Sequence, residues 1–241
     1  MNLEEQVRQG KMPRHIAIIM DGNRRWAKKN LMPSKIGHRE GSLRVIDLVK
    51  NCSSLGIEYL TVYAFSTENW GRDKQEVDYI MNLLVEFVKK ELNYLNENNV
   101  KLNLLGNLDD LPEKTRDEVM RSIETTKNNN KLILNIALSY GSRTEITDAV
   151  KKIITDCENK KINIDEINEE SFKKYLYTYD IPDPDLLIRT SGEMRVSNFL
   201  LYQLAYTEFY FTDVLWPEFN KDELLKAIYS FQSRKRRYGK N

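Results

Sequence analysis

The run Met20-Asp21-Gly22-Asn23-Arg24-Arg25-Trp26-Ala27 follows directly on an apolar stretch that begins at His15. A carboxylate leaves the end of a strand, a glycine permits a sharp turn, and a helix opens with two arginines. The first N–H groups of a helix have no partner within it and suit a phosphate, to which the two guanidinium groups add charge. Asp21 repels an anion directly but suits a Mg²⁺ ion that the anion also ligates. That ion commonly takes one or two carboxylates together with phosphate oxygens and water. Capping of the following helix is the other use that fits Asp21.

Two further runs carry polar side chains of the same kind. Ser66, Thr67, Glu68, Asn69, Trp70 and Arg72 stand together after a second apolar stretch. They form either a substrate-binding turn or a capping segment, with Ser66 or Thr67 as the cap and Trp70 as a packing residue. Arg189 and Arg195 lie six apart, with hydroxyls and Gly192 between them and Ser197 beyond. This spacing predicts a second anion cradle, since the arginine fork matches phosphate oxygens bidentately. Glu208 is an acid in an aromatic strand, where an unpaired carboxylate is costly, so it needs a cation, a metal or a donor; Asp213 competes for that role. His38, between Gly37 and Gly41 and ahead of a helix, is read as a ligand contact.

Strands alternate with helices around these runs. Strands are predicted over 15–20, 57–65, 100–105, 131–138, 185–189 and 208–212, and helices over 42–55, 78–96, 113–127, 144–157 and 221–231. The alternation predicts a single α/β domain over 1–241: a mostly parallel sheet flanked by helices, with residues 1–13 a flexible or peripheral segment and a basic tail over 233–241. In such a sheet ligands bind outside the carboxyl ends of the strands, where Asp21, Ser66 and Thr190 all fall. Basic and acidic residues balance at 37 to 36, which argues against a nucleic-acid partner; the tail is read as a solvated end or a local phosphate contact. The longest apolar run is five residues, Ile16 to Met20, no secretory pattern opens the chain, and Cys52 and Cys157 stand far apart. A cytoplasmic protein without disulfide or zinc is expected. A haloacid-dehalogenase-type phosphatase needs a second acid two residues after the first, and Asn23 stands there.

Taken in order, five runs resemble the cis-prenyltransferase (isoprenyl transferase) family. They are Ile19-Met20-Asp21-Gly22-Asn23 with Arg25-Trp26-Ala27, Gly37-His38 with Gly41, Phe65 to Trp70, Arg189 to Glu193 with Arg195 to Leu201, and Phe211 to Pro217. The likeness covers His15 to Gly239. It implies a homodimeric, Mg²⁺-dependent enzyme that condenses an allylic diphosphate, typically farnesyl diphosphate, with successive isopentenyl diphosphates. The expected product is a long Z-polyprenyl diphosphate such as undecaprenyl diphosphate, the precursor of the lipid carrier for cell-wall polysaccharide. Contact with the inner face of the membrane is expected through that product.

The resemblance also assigns roles. Asp21 engages Mg²⁺ and the diphosphate, and Gly22, Asn23, Arg24, Arg25 and His38 wrap the allylic diphosphate with Trp26 beside them. Ser66, Thr67 and Glu68 line the junction between substrates, Asn69 assists proton removal, and Trp70 and Arg72 flank it. Arg189, Arg195, Val196 and Ser197 hold isopentenyl diphosphate, Glu208 is the second metal-linked acid, and Arg237 reaches the partner subunit's site. Where the family usually has an arginine ahead of Gly-His, this chain has Ser34, and Lys35 is expected to supply the missing charge. Asp73 replaces a frequent proline and is expected only to loosen its loop. The growing chain calls for an apolar tunnel, because each buried CH₂ is worth about 0.8 kcal/mol. The apolar stripe of 78–96, Leu92 included, facing Leu132, Leu134 and Ile136, is the candidate lining.

Overall fold

The computed structural model describes residues 2–234. Six strands form one sheet: β1 (His15–Ile19), β2 (Tyr59–Ser66), β3 (Val100–Leu105), β4 (Leu132–Tyr140), β5 (Leu186–Arg189) and β6 (Glu208–Phe211). Their order is β3-β4-β2-β1-β5-β6 and every pairing is parallel. β1 is buried at all five positions, as a central strand covered on both faces must be. From β1 the chain moves to β2 on one side and later returns to β5 on the other. The carboxyl end of β1 is therefore the switch point at which a crevice opens.

Eight α-helices are described: α1 (Leu3–Gln9), α2 (Asn23–Lys29), α3 (Ser34–Leu55), α4 (Lys74–Glu97), α5 (Glu113–Thr126), α6 (Ser142–Glu158), α7 (Glu169–Lys173) and α8 (Lys221–Gln232). The main core lies on the sheet face that α3, α4 and α8 cover, with Val49, Val88, Leu95, Leu224 and Ile228 fully buried. A smaller cluster on the opposite face joins Ala17, Ile19, Tyr140, Leu187 and Phe199.

Three features differ from the sequence-based expectation. Residues 3–9 are not merely peripheral: they form α1, capped by Asn2 with Glu5, and bury Val7 completely as the helix packs on α8. α3 begins at Ser34 rather than at residue 42, so His38 sits inside a helix. Gly37 and Gly41, which the sequence placed ahead of the helix, lie inside it and permit close packing. A β-carbon on Gly37 would lie 2.1 Å from the Asn23 carbonyl oxygen, and one on Gly41 would lie 2.3 Å from Asn23 Oδ1. Finally, Asp73 does not loosen its loop, since it caps α4 by accepting from the Gln75 amide at 2.8 Å.

A buried polar row crosses four strands. Asn103 donates to Asn135 at 3.0 Å and Asn135 to the Thr61 hydroxyl at 3.0 Å. His15 Nε2 meets that hydroxyl at 2.7 Å, and its Nδ1 meets the Pro182 carbonyl at 2.6 Å. Burial drives the His15 pKa down from 6.5 to about 4. Between those values the unfolded chain binds a proton that the folded one refuses, so stability falls as the pH drops from 6.5 towards 4. Full development of that window costs about 3 kcal/mol. Urea unfolding at pH 7 and pH 4.5 should show a smaller loss for His15→Gln than for the parent.

Candidate active site

The carboxyl ends of β1, β2 and β5 enclose a cavity of about 470 Å³. Its lining includes Asp21, Gly22, Asn23, Arg24, Arg25, His38, Ser66, Asn69, Arg72, Arg189 and Ser197. Among the described residues, four guanidinium groups thus meet one carboxylate in a single hollow.

Asp21 is not a helix cap. Gly22 takes the N-cap position of α2 at φ +113°, a conformation that favours glycine, and gives no side-chain cap. The Asp21 carboxylate instead lies 3.2 Å from Arg25 Nη2 and 3.0 Å from Arg189 Nη2. Desolvation raises its pKa, but the bonds from Arg189 and Arg25 outweigh that and hold it below the usual carboxylate value. The Thr190 hydroxyl pins the Asp21 backbone, accepting from its N–H at 3.0 Å and donating to its carbonyl at 2.6 Å.

Arg189 is almost wholly buried, with 4% of its side chain exposed. It reaches the Arg195 carbonyl and, at 2.8 Å, the Ser197 hydroxyl, so it fixes the loop beyond β5. Among the described residues its buried Nε has no acceptor, and the buried Asn23 Oδ1 has no donor. In the same loop Ser191, Ser197, Asn198 and Leu200 all have positive φ, a concentration of backbone strain typical of ligand clamps.

Glu76, in the first turn of α4, gathers the opposite wall. Its carboxylate lies 3.2 Å from His38 Nε2, 3.1 Å from Arg72 and 3.9 Å from Arg24. Burial lowers the His38 pKa against the pull of Glu76, so the ring is neutral at pH 7 and Nε2–H donates to the carboxylate.

An apolar cleft of about 100 Å³ adjoins the cavity between α3 and α4. Val45, Leu83, Leu84, Phe87, Ile136 and Trp216 line it, while Met20, Asn23, His38, Ala64 and Ile80 face both spaces. Leu132 and Leu134 belong to the core instead, and Leu92 lies outside the lining.

A family model described as "Putative undecaprenyl diphosphate synthase" matches residues 19–239. The chain belongs to the undecaprenyl diphosphate synthase family. This prenyltransferase is 50% identical over 228 residues to the isoprenyl transferase of Clostridium tetani, covering 95% of this chain and 89% of that one. It is 52% identical over 238 residues to the isoprenyl transferase of Bacillus anthracis, covering 99% and 92%. Among solved structures, lavandulyl diphosphate synthase from Lavandula x intermedia, in complex with dimethylallyl diphosphate, is similar with a TM-score of 0.92. Its identity is 36%, over 95% of this chain and 99% of that chain. A "probable undecaprenyl diphosphate synthase" from Campylobacter jejuni has a TM-score of 0.79 and 37% identity, covering 95% of this chain and all of that one.

In this prenyltransferase several expected residues stand outside the cavity lining. Ser34 and Lys35 open α3 and are exposed, and Trp26 lies further along α2. The capping reading of 66–71 is realised: Ser66 is the cap and its N–H donates to Asn69 Oδ1 at 3.1 Å. Trp70 packs edge-on against Phe65 and donates to Ser139 at 2.9 Å. Thr67 and Glu68 are not among the lining residues; Thr67 donates to Glu68 at 3.2 Å and Asn198 donates to it at 2.8 Å. Arg195 pairs with Glu193 at 2.5 Å, and Val196 packs against the smaller cluster. Glu208 opens β6, at the opposite end of the strands from Asp21, and is paired with Arg234 at 2.8 Å. Arg237 lies outside the described residues. Sequence reasoning missed Tyr63, which lines the cavity and donates to the Tyr140 and Ser197 carbonyls at 3.1 and 3.3 Å. It also missed Glu76, whose only signal is its place four residues after Arg72.

Proposed function

We propose that this prenyltransferase condenses isopentenyl diphosphate with an allylic diphosphate, farnesyl diphosphate by preference, and repeats the step to make a long Z-polyprenyl diphosphate such as undecaprenyl diphosphate. The observation that carries this reading is the continuity of a guanidinium-lined cavity with an apolar cleft, which suits an anionic head joined to a hydrocarbon tail. The product would serve as precursor of the lipid carrier for cell-wall polysaccharide at the cytoplasmic face of the membrane.

Gly22, Asn23, Arg24, Arg25 and His38 hold the allylic diphosphate, and Arg189, Arg195 and Ser197 hold isopentenyl diphosphate. Asp21 fits a Mg²⁺ ion shared with a diphosphate, because among the described residues it is the one carboxylate in the lining and its low pKa keeps it ionised. Mg²⁺ supplies neutralisation of the departing diphosphate. The arginines add preorganised charge at the same place, the main catalytic effect expected when an anion leaves a developing carbocation. Asn69 is a feeble base whose amide oxygen already accepts from Ser66. It orients the turn, and the departing diphosphate takes the proton.

Incubation with Mg²⁺, labelled isopentenyl diphosphate and either farnesyl or dimethylallyl diphosphate should yield a long butanol-extractable lipid, fastest from farnesyl diphosphate, and EDTA should abolish it. Absence of condensation from both starters rejects the reading. Leu84→Trp, one turn along α4 from Ile80, should shorten the product by two or more isoprene units on chromatography of the dephosphorylated lipids. A homodimer belongs to the same reading. Edge strand β6 is half-exposed at every position, and Leu201 and Tyr206, in the segment that leads into it, are exposed. Light scattering should give about twice the 28.4 kDa of one chain.

A further inference from the structure

We propose that the corner between α2 and α3 docks on an anionic lipid surface, inserting Leu31 and Met32. Leu31 is 95% exposed and Met32 46%, next to each other at the tip of the corner. Leu31 also holds φ +55°, the left-handed region that disfavours a branched apolar side chain. The chain thus holds an exposed apolar side chain at a backbone conformation that disfavours it.

The corner is a fixed shape rather than a loose loop. The Leu31 amide donates to the Lys28 carbonyl at 3.1 Å and the Met32 amide to the Ala27 carbonyl at 2.8 Å. The Asn30 side chain closes the turn by donating to the Trp26 carbonyl at 2.9 Å. Around the apolar tip stand Lys28, Lys29, Lys35 and Arg39, all exposed. Lys29 is paired with Glu218, while among the described residues Lys28, Lys35 and Arg39 have no carboxylate within ion-pair distance. An exposed apolar pair ringed by unpaired cations matches the interfacial layer of a bilayer, where hydrocarbon meets negative headgroups. The corner is also close to the apolar cleft: Ser34 is about 6 Å along the helix axis from His38, which lines it. A lipid leaving between α3 and α4 would emerge beside the docked membrane. That purpose rests on the prenyl-transfer reading; the docking itself does not.

Vesicle sedimentation without substrate tests the docking separately from the condensation assay. The full chain should partition into vesicles of equal phosphatidylcholine and phosphatidylglycerol, bind phosphatidylcholine alone much less, and be released by 0.5 M NaCl. Leu31→Gly suits the left-handed backbone, so its melting temperature should match or exceed that of the parent while partition falls at least tenfold. Lys28→Gln with Arg39→Gln should lower partition about 25-fold, at roughly fivefold per basic residue. Equal partition of Leu31→Gly and parent, or equal binding to both vesicle types, overturns the proposal. So does a change in oligomeric mass in Leu31→Gly, which would mean that a second copy covers the corner.

Discussion

Asp21→Ala should lower kcat/KM for condensation by at least a thousandfold while the protein remains folded. Asp21 stands between Arg25 and Arg189 with its backbone pinned by Thr190, so its carboxylate is preplaced. Removal leaves two guanidinium groups facing each other and, on the proposed reading, takes away the acidic ligand that would hold Mg²⁺. Loss of a single preorganised group of this kind costs about 3–4 kcal/mol of transition-state stabilisation, and loss of a metal ligand adds to it. Asp21→Asn separates the two effects, because an amide keeps the size while abolishing the charge. A Mg²⁺ titration should saturate at far higher concentration in Asp21→Asn than in the parent. Retention of parental turnover in both variants would remove Asp21 from the chemistry.

Arg189→Lys should lower kcat/KM for isopentenyl diphosphate by a hundredfold or more, with a much smaller change in KM for the allylic substrate. Arg189 bonds Ser197, the Arg195 carbonyl and Asp21 from one buried position. A lysine keeps the charge but presents no planar fork, so it cannot hold the loop and the acid together. The loop it fixes has positive φ at Ser197 and Asn198, and loosening it releases that strain rather than preserving the cradle. Steady-state kinetics with each substrate varied in turn would show the asymmetry; equal losses on both sides would mean that Arg189 serves the fold rather than one seat.

The parallel sheet was legible because its strands are short apolar runs with little alternation, and such runs belong to strands covered on both faces. All six strands lie within two residues of their expected bounds. The failures have physical causes. α1 is seven residues long with little apolar periodicity, and its stability comes from Val7 packing on α8, a contact distant in sequence. The start of α3 was hidden because a glycine looks alike whether it breaks a helix or admits a neighbouring backbone. Of the site, the parts at or just past a strand end were readable: Asp21, Ser66, Asn69 and Arg189 all line the cavity. Glu76 and Tyr63 were not, because a carboxylate in a helical first turn and a tyrosine inside a strand have ordinary uses. Which carboxylate a guanidinium chooses is a matter of three-dimensional neighbours. Arg24 on α2 reaches Glu76 from far away in the sequence, whereas Arg72 meets the same carboxylate from four residues before it.

Asn23 touches both glycines of α3 and faces the polar and apolar spaces at once. A close-packed residue that borders both spaces couples them sterically. An uncharged compound wedged beside Val45 and Leu83 would crowd the pyrophosphate seat without mimicking a pyrophosphate. Escape from such a drug would then map to small residues on α3, leaving the arginines untouched.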